Sequence, residues 1–316
     1  MRNSLILSLI MQLFSLLISI PSTYAQIILR DQKTKVTTKT VFQQDSNILK
    51  LDIYYQGELK TKKPTVLFVF GGGFVTGSRN NKLFNNYFNT LAEQGYKVVA
   101  TDYRLGLKGK KFPTAFNTSA LRNAIDTATV DVYHATTYLL AHAQALGIDT
   151  SMVILSGSSA GAITALHADY NKRNATSLSQ ILPANFQYKG VISFAGAIMS
   201  YQGKPKYKTP PAPTMFFHGT ADKLVPYNKV RLFNRGFFGS KSLARIFKKE
   251  GYPYYFQYVQ GMGDEVAGTP MKDNLPETLS FIQQYIIERK HYFMEVNFKD
   301  ADSKRTFNMP DKKKRW

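Results

Sequence analysis

Apolar runs and amphipathic stretches alternate along most of this chain, and their spacing predicts its elements. Val36 to Phe42 and Ile48 to Tyr55 are β-branched and alternating, and read as an opening antiparallel pair. Thr65 to Phe70 is a continuous apolar run, as in a strand buried on both faces, and it ends in Gly71-Gly72-Gly73. A helix is expected over Asn85 to Gln94, stopping at Gly95, and a short apolar strand over Lys97 to Asp102. Ser119 to Leu146 carries Leu, Ile, Val and Tyr at helical spacing and stops at Gly147. Met152 to Ser156 reads as a buried strand and Ala160 to Asn171 as a helix. Gly190 to Ala195, Thr214 to Phe217 and Tyr254 to Val259 read as further buried strands, with Pro276 to Arg289 as the closing helix. Apolar strands alternating with helices need a sheet covered on both faces. The pattern is that of an α/β domain, doubly wound on a mostly parallel sheet with antiparallel first strands.

Two stretches interrupt this rhythm. Ser200 to Pro213 is rich in Pro, Lys and Tyr and reads as a loop. Tyr227 to Gly251 reads as helical over Ser242 to Lys249, with breaks at Gly236 and Gly239. Either stretch is placed to overhang a cleft at the strand ends, where open α/β sheets hold their ligands. The two ends of the chain differ in kind from the middle. Arg2, the apolar run Leu5 to Ile20 and the small residue at Ala25 have the form of a cleavable export signal. The run is short for a membrane anchor. Residues 1–25 are therefore expected to be a signal peptide cut after Ala25, residues 26–290 the folded domain, and residues 291–316 a basic, irregular tail. The protein is expected to be secreted or periplasmic.

Composition sharpens this picture in two places. The chain has no cysteine, so an exported form has no disulfides and relies on its core. The 41 basic residues outnumber the 21 acidic ones, giving a net charge of +20 over 316 residues. Such a charge favours anionic partners, but the basic residues are spread along the chain and no nucleic-acid-binding motif is present. A nucleic-acid partner is not expected; Lys312 to Arg315 in the tail are a candidate for weak contact with an anionic surface. No His/Cys/carboxylate group has metal-ligand spacing, and no cofactor is expected.

The chemistry concentrates at Gly157-Ser158-Ser159-Ala160-Gly161, which reads G-x-S-x-G between a buried strand and a helix. That context makes a nucleophile elbow: the glycines allow a tight turn that lifts the Ser159 hydroxyl clear of the sheet. The helix N-terminus then directs its amides at developing negative charge. Phe70-Gly71-Gly72-Gly73-Phe74 follows an upstream strand and offers further backbone amides. The Gly72, Gly73 and Ala160 amides together form a candidate oxyanion hole.

With these motifs the chain resembles the α/β-hydrolase-fold carboxylesterases, in particular their hormone-sensitive-lipase-like and small acetyl or feruloyl esterase-like branches, over roughly residues 40–290. The resemblance implies the α/β-hydrolase fold, a small-molecule or carbohydrate-linked ester substrate, and a Ser–Asp–His triad in that chain order. The H-G-G-G segment of those enzymes appears here as Phe70-Gly71-Gly72-Gly73, without its histidine. Asp102-Tyr103-Arg104-Leu105 matches a structural D-Y-R-L segment. His218-Gly219-Thr220-Ala221-Asp222 matches the segment that delivers the triad acid, so Asp222 is the expected acid and His218 a strand-end residue.

The base is expected after the next strand, in a G-x-G-H-like turn. The sequence there is Gly261-Met262-Gly263-Asp264, an aspartate in place of the histidine. His134, His142, His167 and His291 lie away from any expected triad position. A carboxylic acid ordinarily ionises near pH 4, far below the range of an effective general base. Losing the base of a serine-protease triad costs on the order of 10⁶ in kcat, while the oxyanion hole and binding still leave about 10³–10⁴ over water. Two readings follow. One is a serine carboxylic-ester hydrolase acting on short acyl esters, slowed by Asp264; the other is an esterase-fold binding protein without turnover.

Overall fold

A computed structural model describes residues 33–44, 47–110 and 118–299. The expected signal peptide and cleavage after Ala25, and the chain beyond residue 299, lie outside the described residues. Nine strands form one sheet in the order β1-β2-β4-β3-β5-β6-β8-β11-β12. β1 (Lys35–Gln44) and β2 (Asn47–Tyr55) pair antiparallel, as the alternating pattern predicts, and β2 is also antiparallel to β4 (Lys97–Thr101). The remainder is parallel: β3 (Lys63–Val69), β5 (Ile148–Ser158), β6 (Gly190–Phe194), β8 (Thr214–Gly219), β11 (Tyr254–Val259) and β12 (Phe293–Phe298). Val66, Leu67, Phe68, Val69, Val153, Ile154 and Leu155 are each 0% exposed, which is why the central strands read as unbroken apolar runs.

Helices α1 (Asn85–Glu93), α2 (Ser119–Ala141), α3 (Ala160–Arg173), α4 (Ser240–Glu250) and α5 (Leu275–Phe281) flank the sheet, α2 packed on α3 and α1 on α5. The D-Y-R-L segment is structural, as expected. Asp102 accepts from Arg79 Nη1 at 2.7 Å, and Arg104 grips buried Asp131 through Nε at 2.9 Å and Nη2 at 2.6 Å.

The structure departs from the sequence reading in three places. Tyr227 to Gly251 is more than a helix with breaks. It holds a hairpin of β9 (Lys229–Leu232) and β10 (Arg235–Gly239), which joins β7 (Ala197–Ser200) in a second, three-stranded antiparallel sheet. The hairpin's Phe233-Asn234 turn lacks the glycine that would have signalled it, and Phe233 instead takes a φ of 51°. The irregular tail begins later than residue 291, because β12 adds to the sheet edge beside β11. All but one of its residues are exposed, so it carries no burial signature. Finally, the closing helix ends as α5 and continues in π-helical form over Ile282–Ile287.

Candidate active site

β5 delivers Ser159 to the carboxyl edge of the sheet. Ser159 has φ 50° and ψ −116°, a conformation that a non-glycine residue adopts only when its surroundings enforce it. The enforcement is visible. Its N–H donates to Phe194 O at 2.8 Å, its carbonyl accepts from Ile163 N at 2.9 Å, and α3 begins immediately. The flanking glycines are required by close approach. A Cβ at Gly157 would strike the Gly161 carbonyl, and one at Gly161 would strike the carbonyl oxygens of Val69 and Phe70 at the end of β3.

The glycine loop meets the elbow directly. A Cβ at Gly71 would lie 2.9 Å from Ser158 O and 3.2 Å from Ser159 Cβ, so only glycine lets the loop approach the nucleophile this closely. The turn closes through Val75 N and Thr76 N, both donating to Gly72 O at 3.1 Å. Gly72 and Gly73 donate their amides to nothing among the described residues. The first amides of α3, Ala160 among them, have no intrahelical acceptor, and no acidic side chain occupies its first turn. The amides of Gly72, Gly73 and Ala160 are therefore uncommitted among the described residues, on the loop and the helix that adjoin the elbow. Phe70 stands where the resemblance implies a histidine. It is buried, stacks on Tyr103 with ring centroids 4.4 Å apart, and accepts at its carbonyl from Tyr103 Oη at 3.1 Å. An apolar stack thus holds the loop without that histidine.

Asp222 follows β8. Its Oδ1 accepts from Leu224 N at 2.8 Å and Val225 N at 3.0 Å, which fixes the carboxyl plane. Its Oδ2 is buried and accepts no hydrogen bond among the described residues. His218 Nε2 lies 3.4 Å away but is committed to Val225 O at 3.1 Å, while Nδ1 pairs with Ser240 Oγ at 2.8 Å. His218 is wholly buried in β8, as a strand-end residue should be.

Asp264 opens a 3-10 turn, Asp264–Ala267, directly after β11 and its loop. Gly261 N donates to Thr220 Oγ1 at 2.9 Å and Ala221 N to Met262 O at 2.8 Å, tying this segment to the acid loop. Ser158 Oγ donates to Ala267 O at 2.8 Å, tying it to the elbow. The segment carrying Asp264 therefore spans the gap between acid and nucleophile. The neighbouring carboxylate Glu265 is buried, a feature its sequence position does not signal.

None of the five histidines bonds to Ser159. His142 and His291 are exposed and pair with the carbonyls of Tyr138 and Gly251, each at 2.9 Å. His167 is buried in α3, donating from Nδ1 to Ile163 O at 2.8 Å and accepting at Nε2 from Met199 N at 3.2 Å. His134 is half-buried on α2, and burial lowers its pKa. Among the described residues, no group of three His, Cys, Asp or Glu side chains is placed to hold a metal. The Ser200 to Pro213 loop lines a surface cavity of about 760 Å³ along α2 and α3, whose lining does not include Ser159.

The family model named BD-FAE matches residues 51–209, half of the chain. That span contains the elbow and the glycine loop and ends before Asp222 and Asp264. Among solved structures, the propionate-bound thermophilic esterase Est2 of the planctomycete Thermogutta terrifontis is 22% identical, covers 83% of this chain and 96% of its own, and superposes with a TM-score of 0.58. Esterase B of Lactobacillus rhamnosis (HN001) is 18% identical over 86% of this chain and 94% of its own, with a TM-score of 0.55. Lipase 2 of Moraxella sp. (strain TA144) is 32% identical over 102 residues, 32% of this chain, which spans only 20% of that relative's length. With half its length matched and its sheet arranged as described, the chain belongs to the BD-FAE family and carries the α/β-hydrolase fold of the carboxylesterases.

Proposed function

We propose that the protein is a serine carboxylic-ester hydrolase acting on small acyl esters, including acetyl and other short acyl groups on carbohydrate, with Ser159 as nucleophile. The strained elbow carries this reading: a serine held at φ 50° beside three uncommitted amides has no structural purpose that a glycine would not serve better. Ser159 Oγ bonds to the acyl carbon, and the carbonyl electrons move onto oxygen, facing the Gly72, Gly73 and Ala160 amides. The hydroxyl proton passes to Asp264, directly or through water, and Asp264 returns it to the alkoxide oxygen as the ester C–O bond breaks, so that the alcohol departs and the acyl-enzyme remains. Water then repeats the sequence and releases the acid. Asp264 makes both proton transfers slow, because a carboxylate is a weak base at neutral pH. We further propose export and cleavage after Ala25, which the intact mass of protein recovered from the cell exterior or periplasm tests.

A second reading, an ester-binding protein without turnover, draws on the buried and unbonded Asp222 Oδ2. Aryl acetate hydrolysis and labelling by a fluorophosphonate probe separate the two. Ester hydrolysis and a probe adduct on the Ser159 peptide, both abolished by Ser159→Ala, support the hydrolase. Saturable ester binding with neither turnover nor adduct supports the binding protein.

A further inference from the structure

The β9–β10 hairpin lies in the chain between the Asp222 loop and α4. All four residues of β9 are exposed. Successive side chains of a strand point to opposite faces, which puts Val230 and Leu232 on one side and Lys229 and Arg231 on the other. Val230 is 65% exposed, Leu232 49%, and Phe233 at the tip 86%. Single exposed apolar residues are ordinary on protein surfaces, but a contiguous cluster led by an aromatic ring marks an interaction site. The tip is also held in place. Arg231 Nε donates to Phe233 O, and Gly203 N donates to Asn234 O at 2.7 Å, so the turn is braced against the neighbouring loop.

The stretch of chain that carries the tip is strongly basic. From Lys223 to Lys249 the chain contains eight lysines and arginines and no aspartate or glutamate. α4 turns Leu243, Ile246 and Phe247 into the core, which leaves Arg245 and Lys249 on the outer surface. A second copy of so basic a patch would be repelled. An anionic lipid surface is complementary on both counts, because its phosphates accept the cations and its acyl boundary accepts the apolar tip.

We propose that the β9–β10 hairpin docks the protein on anionic bilayers, with Leu232 and Phe233 entering the headgroup–acyl boundary and Lys229 and Arg231 meeting lipid phosphates. The inference is independent of ester chemistry. Co-sedimentation of the whole protein with sucrose-loaded vesicles tests it, comparing phosphatidylcholine alone with a mixture containing phosphatidylglycerol. Binding is expected only to the anionic vesicles and is expected to weaken with added salt. Each basic residue near such a surface contributes about a factor of five, so the charge reversal Lys229→Glu should lower partitioning by about tenfold or more, and Phe233→Asp by at least as much. Both side chains are exposed, so thermal melts should match the parent, and so should hydrolysis of soluble aryl esters. Equal, negligible binding to both vesicles overturns the proposal. So does parent-like vesicle binding by Phe233→Asp in a folded protein. A dimer that Phe233→Asp dissolves, without vesicle binding by the parent, would assign the hairpin to a second copy instead.

Discussion

Replacing Asp264 with histidine is the most informative perturbation of the site. Loss of a triad base costs on the order of 10⁶ in kcat, about 8 kcal/mol at 1.36 kcal/mol per decade. How much of this a restored imidazole recovers depends on whether position 264 is already aimed. The segment that carries it is well fixed. The 261–267 segment is bonded to the acid loop at 2.9 and 2.8 Å and to the elbow at 2.8 Å. Two amides hold Asp222 Oδ1 at 2.8 and 3.0 Å, leaving Oδ2 to accept from an imidazole N–H. A residual misplacement of about 1 Å would forfeit roughly 10². The expected gain in kcat/KM for Asp264→His is therefore about 10⁴, read with aryl acetates after subtraction of spontaneous hydrolysis and of the Ser159→Ala rate. The new activity should rise with pH as the imidazole loses its proton, from an ordinary value near 6.5 moved upward by the Asp222 charge. Adding Asp222→Asn to Asp264→His should remove most of the gain, while Asp222→Asn alone should hardly change the parent. A folded Asp264→His protein within tenfold of the parent would refute the assignment of position 264.

Three further outcomes concern the scaffold. Gly161→Ala forces a Cβ against the Val69 and Phe70 carbonyls, and overpacking against backbone should lower stability in urea by about 1–3 kcal/mol; unchanged stability would show that the elbow is not tightly packed. Arg104→Ala strips the guanidinium from Asp131, whose side chain is 0% exposed, and should cost about 3 kcal/mol. The double change Arg104→Met with Asp131→Leu should recover much of that loss in the same urea titration. Burial holds the His167 pKa below the usual imidazole range, so the unfolded chain takes up a proton first as pH falls. Stability should then be full above about pH 6.5 and decline as pH falls through the lowered folded value. His167→Gln should flatten that part of the acid decline in melts between pH 7.5 and 5.

The central strands were legible because both of their faces are buried: residues such as Val66 to Val69 cannot be polar anywhere. The elbow was legible for a related reason, since Gly157 and Gly161 are forced by contacts local to one turn. Asp222 follows β8 and Asp264 follows β11, the chain positions that the sequence pattern gave them. What stayed hidden depends on partners distant in sequence. Ser158 meets Ala267 across 109 positions, and Phe70 braces its loop through Tyr103. β12 and β9 were missed for the opposite reason. Their residues are mostly exposed, so burial imposed no pattern on them.

Under the proposed role of Ser159, its strain sets heat tolerance against chemistry. A residue kept in such a conformation costs about 1–3 kcal/mol, and glycine would relieve most of it. A carboxylate sealed from water with one oxygen unbonded adds to the cost at Asp222. A chain under selection for durability alone would shed both features by single substitutions. Variants isolated by thermal selection, with no demand for ester turnover, should therefore accumulate changes at these two positions ahead of the surrounding core.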